Sequence, residues 1–219
     1  MILHHLQNSR SQRIVWLFEE LSLEYDIAFY TLDTAKKKNL KFPTVEIPDQ
    51  NITLTETSAI AEFMCEVRRR LIIEKAHRAY WDFCLYKNFS DASLMPNLAL
   101  KQIFQQIKEQ TPLPVRFIPF AIQKAFNSAY LNPELKKQLD LLDDHLMQHT
   151  WIAGDIFSYA DILLWFPLYA AQYAYPQFSE FHNLIRYLKQ IEDRNAFKRA
   201  MQRGQWSSEI FKEYWEITQ

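Results

Sequence analysis

The spacing of hydrophobic residues changes character near residue 68, and that change limits the folds open to the chain. Before it, short alternating runs and amphipathic helical runs take turns; after it, the period is helical throughout and no strand pattern recurs. Ile2–Leu6 reads as a first strand, followed by the polar turn Gln7-Asn8-Ser9-Arg10-Ser11. Ile14, Leu17, Phe18 and Leu21 fall at i, i+3, i+4 and i+7, which predicts a helix over Gln12–Leu21 with Ser9 or Ser11 as its N-cap. Ser22–Leu32 alternates as a second strand, giving a β-α-β unit, whose strands are parallel in nearly all known cases. Asp33–Leu40 (DTAKKKNL) is short, basic and without helical period, and is read as a solvated loop.

Lys41–Val67 (KFPTVEIPDQNITLTETSAIAEFMCEV) is the most informative stretch. An apolar run, Phe42–Ile47, carries Pro43 at its start, and proline belongs at a strand's edge, at its first residue, or in a cis bond at a tight turn. A polar turn, the alternating strand Ile52–Thr55, and Glu56-Thr57-Ser58 at the head of a helix complete the unit. Backbone ahead of a proline, beside an acid and a hydroxyl at a helix start, suits a small zwitterionic peptide. Residues 1–68 therefore read β-α-β-β-β-α, the order of a thioredoxin-like domain, with a linker at 69–73 and an all-helical bundle over 74–219.

In that second part, helices are predicted at Glu74–Asn88, Leu98–Gln110, Ile118–Tyr130, Pro133–His149, Asp161–Tyr173, Phe181–Ile191 and Ala196–Arg203, the last ending at Gly204 as a C′ glycine. Ser158 and Asp161 have N-cap to N3 spacing, with Phe157 and Ile162 at the positions of a hydrophobic staple, so a structural helix start is expected there. Trp206, Phe211, Tyr214 and Trp215 near the C-terminus either wall an apolar pocket or pack the tail, packing being preferred.

Composition excludes several functions. Two glycines, where average usage near 7% gives about fifteen, leave no GxGxxG or GxxxxGK[ST] loop for a nucleotide. The net charge of −1 offers no electrostatic footprint, so neither nucleic acid nor a membrane is expected as a partner. Cys65 and Cys84 lack CxxC spacing and fall in apolar helical patterns as reduced thiols. MILHHLQNSR has neither the charged start nor the apolar core of a secretory leader, and a cytoplasmic setting is expected. His4 and His5 point to opposite faces of a strand, and His145 and His149 with Asp144 show no third ligand, so no metal is expected.

Three segments together resemble the cytosolic glutathione S-transferase family, in its bacterial and fungal serine-type branch. LHHLQNSRSQRIVWLFEELSLEYDI is similar to the family's first strand, active-site turn and first helix. FPTVEI and LTETSAIAEFM are similar to its proline strand and its glutamate-hydroxyl signature, and WIAGDIFSYADI to its stapled helix start; DASLMP and LNPELKKQLDLLDDHL add to the branch assignment. The resemblance implies a thioredoxin-like domain followed by a helical domain, glutathione as co-substrate, an apolar electrophile as second substrate, and a homodimer.

It also implies roles. Ser9 is the first choice for the hydroxyl that stabilises the glutathione thiolate, counting back from Arg13, which matches the family's arginine; Asn8 is close behind, and Ser11 is the third donor of the turn and the preferred helix cap. Phe42, ahead of a cis bond at Pro43, would pair with the cysteinyl amide as an added strand. Glu56 would balance the ammonium, the Thr57 and Ser58 N–H groups would hold the γ-glutamyl carboxylate, and Lys41 would meet the glycyl carboxylate. One departure is visible: where the family carries a longer segment with a helix, only DTAKKKNL precedes Pro43. On that feature rests the alternative of a transferase-shaped binding protein without conjugating activity. Glutathione-dependent reductase or peroxidase chemistry is a third reading, and the absence of a cysteine in the turn counts against its thiol-exchange form.

Overall fold

The structure is a computed structural model and describes residues 1–36 and 40–216. β1 (Ile2–Leu6) pairs parallel with β2 (Asp26–Tyr30) on one side and antiparallel with β3 (Thr44–Ile47) on the other, and β4 (Ile52–Thr55) closes the sheet in the order β2-β1-β3-β4. Between β1 and β2 runs α1 (Gln12–Leu21). It ends at Ser22, which takes a left-handed conformation (φ 54°) so that Leu23 and Tyr25 drop into the core; the second strand therefore begins at Asp26 and not at Ser22.

The segment after β2 is a correction. Leu32–Lys36 forms a turn of helix, α2, because Thr31 and Thr34 cap each other: the Thr31 N–H donates to Thr34 Oγ1 at 2.8 Å and the Thr34 N–H to Thr31 Oγ1 at 3.4 Å. That is a capping box with threonine in the acid's place. The rest of the expected loop, Lys37–Asn39, lies outside the described residues.

α3 (Thr57–Arg68) follows β4, and the remainder is helical: α4 (Tyr80–Phe89), α5 (Met95–Gln110), α6 (Phe117–Phe126), α7 (Asn132–Gln148), α8 (Tyr159–Ala174), α9 (His182–Glu192), α10 (Asn195–Arg203) and α11 (Ser208–Trp215). π-helical turns at Ser90–Leu94 and Asn127–Leu131 join α4 to α5 and α6 to α7. α4 starts at Tyr80 rather than Glu74, since residues 74–79 form turns closed by His77 N–H to Glu74 O and Tyr80 N–H to His77 O. α11 was not expected; Ser207 caps it, its hydroxyl accepting the Ile210 N–H at 3.3 Å.

α8 is the central helix, buried along nearly its whole length, and its start is the expected capping box. α1 is the seam between sheet and bundle, packing on α3, α8 and α10. Its fully buried Trp16 meets Trp165 and Phe197 edge to face at 6.1 and 5.1 Å. The buried Arg13 crosses into the bundle, donating to Asp91 at 3.0 Å and to the Leu163 carbonyl at 2.9 Å. At the other end of α1, Glu20 takes a two-pronged contact from Arg194 at 2.6 and 2.8 Å.

Gly204 corrects a second expectation. Its φ of −82° is ordinary, and Gln205 (φ 52°) holds the left-handed position after α10. The glycine gives room for close approach instead: a Cβ there would stand 2.1 Å from Gln12 Oε1, so the Gln12 amide would have to shift.

Candidate active site

The turn between β1 and α1 holds its hydroxyls in a directed chain. His5 is buried on β1, and its Nε2 lies 3.0 Å from the Gly204 carbonyl oxygen, which can only accept. The proton therefore sits on Nε2, and Nδ1, 2.7 Å from Ser11 Oγ, accepts from that hydroxyl. Burial keeps the ring neutral, lowering its pKa to about 4, with the hydrogen bonds to Gly204 and Ser11 opposing. Ser11 Oγ in turn accepts the Leu6 N–H at 3.1 Å. Ser11 holds the N-cap position of α1, as expected, but its side chain makes no capping hydrogen bond; contrary to its expected place as a glutathione contact, it is fully buried with its proton aimed inward and so borders no open space where a ligand could meet it. Ser9 closes the turn ahead of α1, its Oγ accepting the Ser11 N–H at 3.2 Å. The Ser9 hydroxyl proton rests on Leu6 O at 2.8 Å or Ser11 Oγ at 2.9 Å, both reachable by rotation about one bond. Asn8 adopts φ 53°, a left-handed conformation asparagine tolerates, and its Oδ1 accepts the Ser207 N–H at 2.8 Å, which leaves Nδ2 as a donor.

Asn8 and Ser9 border a cleft of about 540 Å³, within the usual range for small-molecule sites. Arg10 and Asp33 also line it; Met95 and Ile103 of α5, Phe166 of α8, and Phe211, Tyr214 and Trp215 of α11 form an apolar wall, interrupted by Gln102 and Gln106 of α5. The tail aromatics therefore both pack and wall the cleft, while Trp206 does not line it and packs at a tilt against Trp165, ring centroids 5.2 Å apart. α4 contributes no lining residue, and α8 supplies Phe166. Gln102 donates its Nε2 hydrogen to the Tyr214 carbonyl and leaves the buried Oε1 without a hydrogen-bond partner among the described residues. Gln102, Phe166 and Arg10 were not singled out from the sequence. A glutamine on the inward stripe of α5, where Leu98 sits one turn earlier, was the available signal for the first.

The remaining expected residues gather at a neighbouring corner. The Phe42–Pro43 peptide is cis, as the resemblance implies. Phe42 packs on Tyr30 with ring centroids 4.9 Å apart, and Tyr30 is followed directly by Thr31 and Leu32 of the cleft wall. Glu56 stands ahead of α3 with φ 66° and ψ 122°, a region costly for a residue with a side chain, of order 1–3 kcal/mol. The first N–H groups of α3, at Thr57 and Ser58, follow it directly and carry no side-chain cap. Lys41 Nζ lies 3.3 Å from Glu56 Oε1, so the two side chains that the resemblance sets at opposite ends of a ligand are paired with each other.

One consequence is measurable in stability. Because the folded pKa of His5 lies below its ordinary 6.5, the unfolded chain takes up a proton that the fold refuses as pH drops from about 6.5 toward about 4, and stability is lost across that window. The full effect is about 3 kcal/mol. In urea unfolding, the stability advantage of the wild type over His5→Asn is expected to shrink by that amount between neutral pH and about pH 4; a constant gap would contradict a neutral, buried His5.

Known proteins share this architecture. The family model for the "Glutathione S-transferase, C-terminal domain" matches residues 114–195. A glutathione S-transferase of Actinobacillus pleuropneumoniae superposes with a TM-score of 0.77 at 24% identity, covering 99% of both chains. A glutathione transferase family member of Pseudomonas fluorescens, solved with two glutathione bound, superposes with a TM-score of 0.73 at 18% identity over 91% of each chain. Glutathione S-transferase 3 of Schizosaccharomyces pombe is 30% identical over 211 residues, 93% of this chain and 87% of its own. With that identity sustained over nearly its whole length, on a fold with the family's cis-proline corner and helical partner domain, the chain belongs to the glutathione S-transferase family.

Proposed function

We propose that the protein conjugates glutathione to an apolar electrophile. Glutathione lies along the corner of Phe42, Pro43, Glu56 and Thr57, with its thiol at the turn of Asn8 and Ser9. A free thiol near pKa 8.5 is only a few per cent ionised at neutral pH. The Ser9 O–H, the Asn8 Nδ2–H and the N-terminus of α1 favour the charged form, and the thiol proton leaves to solvent. The thiolate then forms a carbon–sulfur bond with the electrophile in the cleft, whose leaving group departs with its electron pair, or whose double bond takes up the charge. The observation that carries this reading is that Ser9 is the hydroxyl at the head of α1 that borders the cleft, Ser11 being turned inward to His5.

Family membership and the glutathione held by the Pseudomonas fluorescens relative support the ligand. A homodimer is part of the proposal: α3 and α4, joined by the Lys87–Glu62 ion pair at 3.1 Å, expose Val67, Trp81 and Leu85. Free Cys65 and Cys84, the first buried with its thiol pushed up to about 12, suit a reducing cytoplasm.

Calorimetric titration with glutathione tests the corner. Binding is expected, weakened about tenfold or more by Glu56→Ala, since that change removes the partner of the ligand's ammonium. No heat at millimolar glutathione would overturn the reading. Binding without turnover of a generic aryl halide would favour a transferase-shaped binding protein.

A further inference from the structure

The whole-chain charge of −1 hides a local imbalance. α6 is inside out. Its polar Gln123 faces the bundle, donating to Gln105 Oε1 at 3.0 Å, and α5 opposite it buries Lys101, Gln105 and Lys108. The outward face holds Phe117 (67% exposed), Ile118 (50%) and Ile122 (54%), with Leu113 (77%) in the turn ahead. Surface helices of globular proteins show the opposite arrangement, and contiguous apolar surface of this kind marks a contact. On α5, Ile107 and Ile103 are half-exposed, and Ile103 lines the cleft.

We propose that the outer face of α6 and of the preceding turn rests on an anionic lipid surface. Residues 110–133 contain no aspartate or glutamate, and their charges are the cations Arg116 and Lys124; Glu109 and Glu134 stand just outside. Arg116 is held at the rim by hydrogen bonds to the carbonyls of Thr111 and Glu109. Apolar side chains flanked by cations without acids match the headgroup boundary of an anionic leaflet. A second copy of the chain matches less well, because an isologous contact would set these cations against themselves with no acid to answer them. Among the described residues no helix is long and apolar enough to cross a membrane, so α6 lies in the plane of the surface. The contact would place the co-substrate wall of the cleft near a store of apolar molecules.

Flotation of the full chain with phosphatidylcholine vesicles, with and without phosphatidylserine, tests this. Binding is expected to the anionic vesicles, falling as salt is raised. The double variant Phe117→Ser, Ile122→Ser should bind at least tenfold more weakly, with an unchanged melting temperature and unchanged conjugation rate; Leu141→Ser, an exposed leucine of α7, should bind as wild type. Failure to float, equal binding to neutral vesicles, or flotation unaffected by the double variant overturns the proposal. So does loss of a dimer in the double variant by light scattering without vesicle binding, which would assign the face to a second copy.

Discussion

Ser9→Ala is expected to lower kcat/KM for conjugation of glutathione to an aryl halide about a hundredfold at neutral pH, the scale of losing one donor to a reacting anion. The cause is the thiolate fraction. Without the hydroxyl the thiol returns toward its free pKa, so the deficit should narrow as pH rises past that value. Ser11→Ala should behave differently. Its hydroxyl serves His5 Nδ1 at 2.7 Å and the Leu6 N–H at 3.1 Å, both within the protein. Removing it leaves buried groups unpaired and costs stability of about 1–3 kcal/mol, while any effect on rate comes through the placement of Ser9. Equal loss of rate in both variants at every pH would mean that the turn acts only as a scaffold.

The second large effect is on the fold. Asp161→Ala is expected to destabilise the protein by about 4 kcal/mol, because three buried donors lose their acceptor at once. Its Oδ1 takes the Ile152 N–H and the Tyr187 O–H, each at 2.8 Å, and its Oδ2 takes the Ser158 N–H at 2.8 Å. Burial pushes the carboxyl up to about 6 against these hydrogen bonds, which hold it down. For a chain of this size the melting temperature should fall by about 10 °C, at roughly 2–4 °C per kcal/mol. Asp161→Asn should recover only part, since its amide nitrogen would face a donor. A fall of only a degree or two in Asp161→Ala would show that the capping box is not what anchors α8.

The larger elements were legible because they repeat a physical rule over many residues. The i, i+3, i+4 stripe of α1, the alternation of β4 and the Ser158–Asp161 spacing each stated their structure locally. α2 escaped because its capping uses Thr34 where an acid is usual, and α11 because its apolar face is aromatic and followed no long period. At the site, the cis Phe42–Pro43 corner was foreseen through resemblance, whereas the inward orientation of Ser11 was not. That orientation depends on His5 and Gly204, 199 residues apart, and no local pattern reports it. The same holds for α6: its sequence is plainly helical, but which face turns outward is decided by the buried polar side chains of α5.

The central claim is that Ser9 holds bound glutathione as a thiolate. Ultraviolet titration of the thiolate absorbance in the glutathione complex measures this directly, with wild type and Ser9→Ala side by side. The expected result is a bound thiol that ionises at least a unit below the free value of about 8.5 in the wild type and returns toward it in Ser9→Ala. A bound thiol that titrates at the free value in the wild type, or at the same lowered value in both proteins, would contradict the claim.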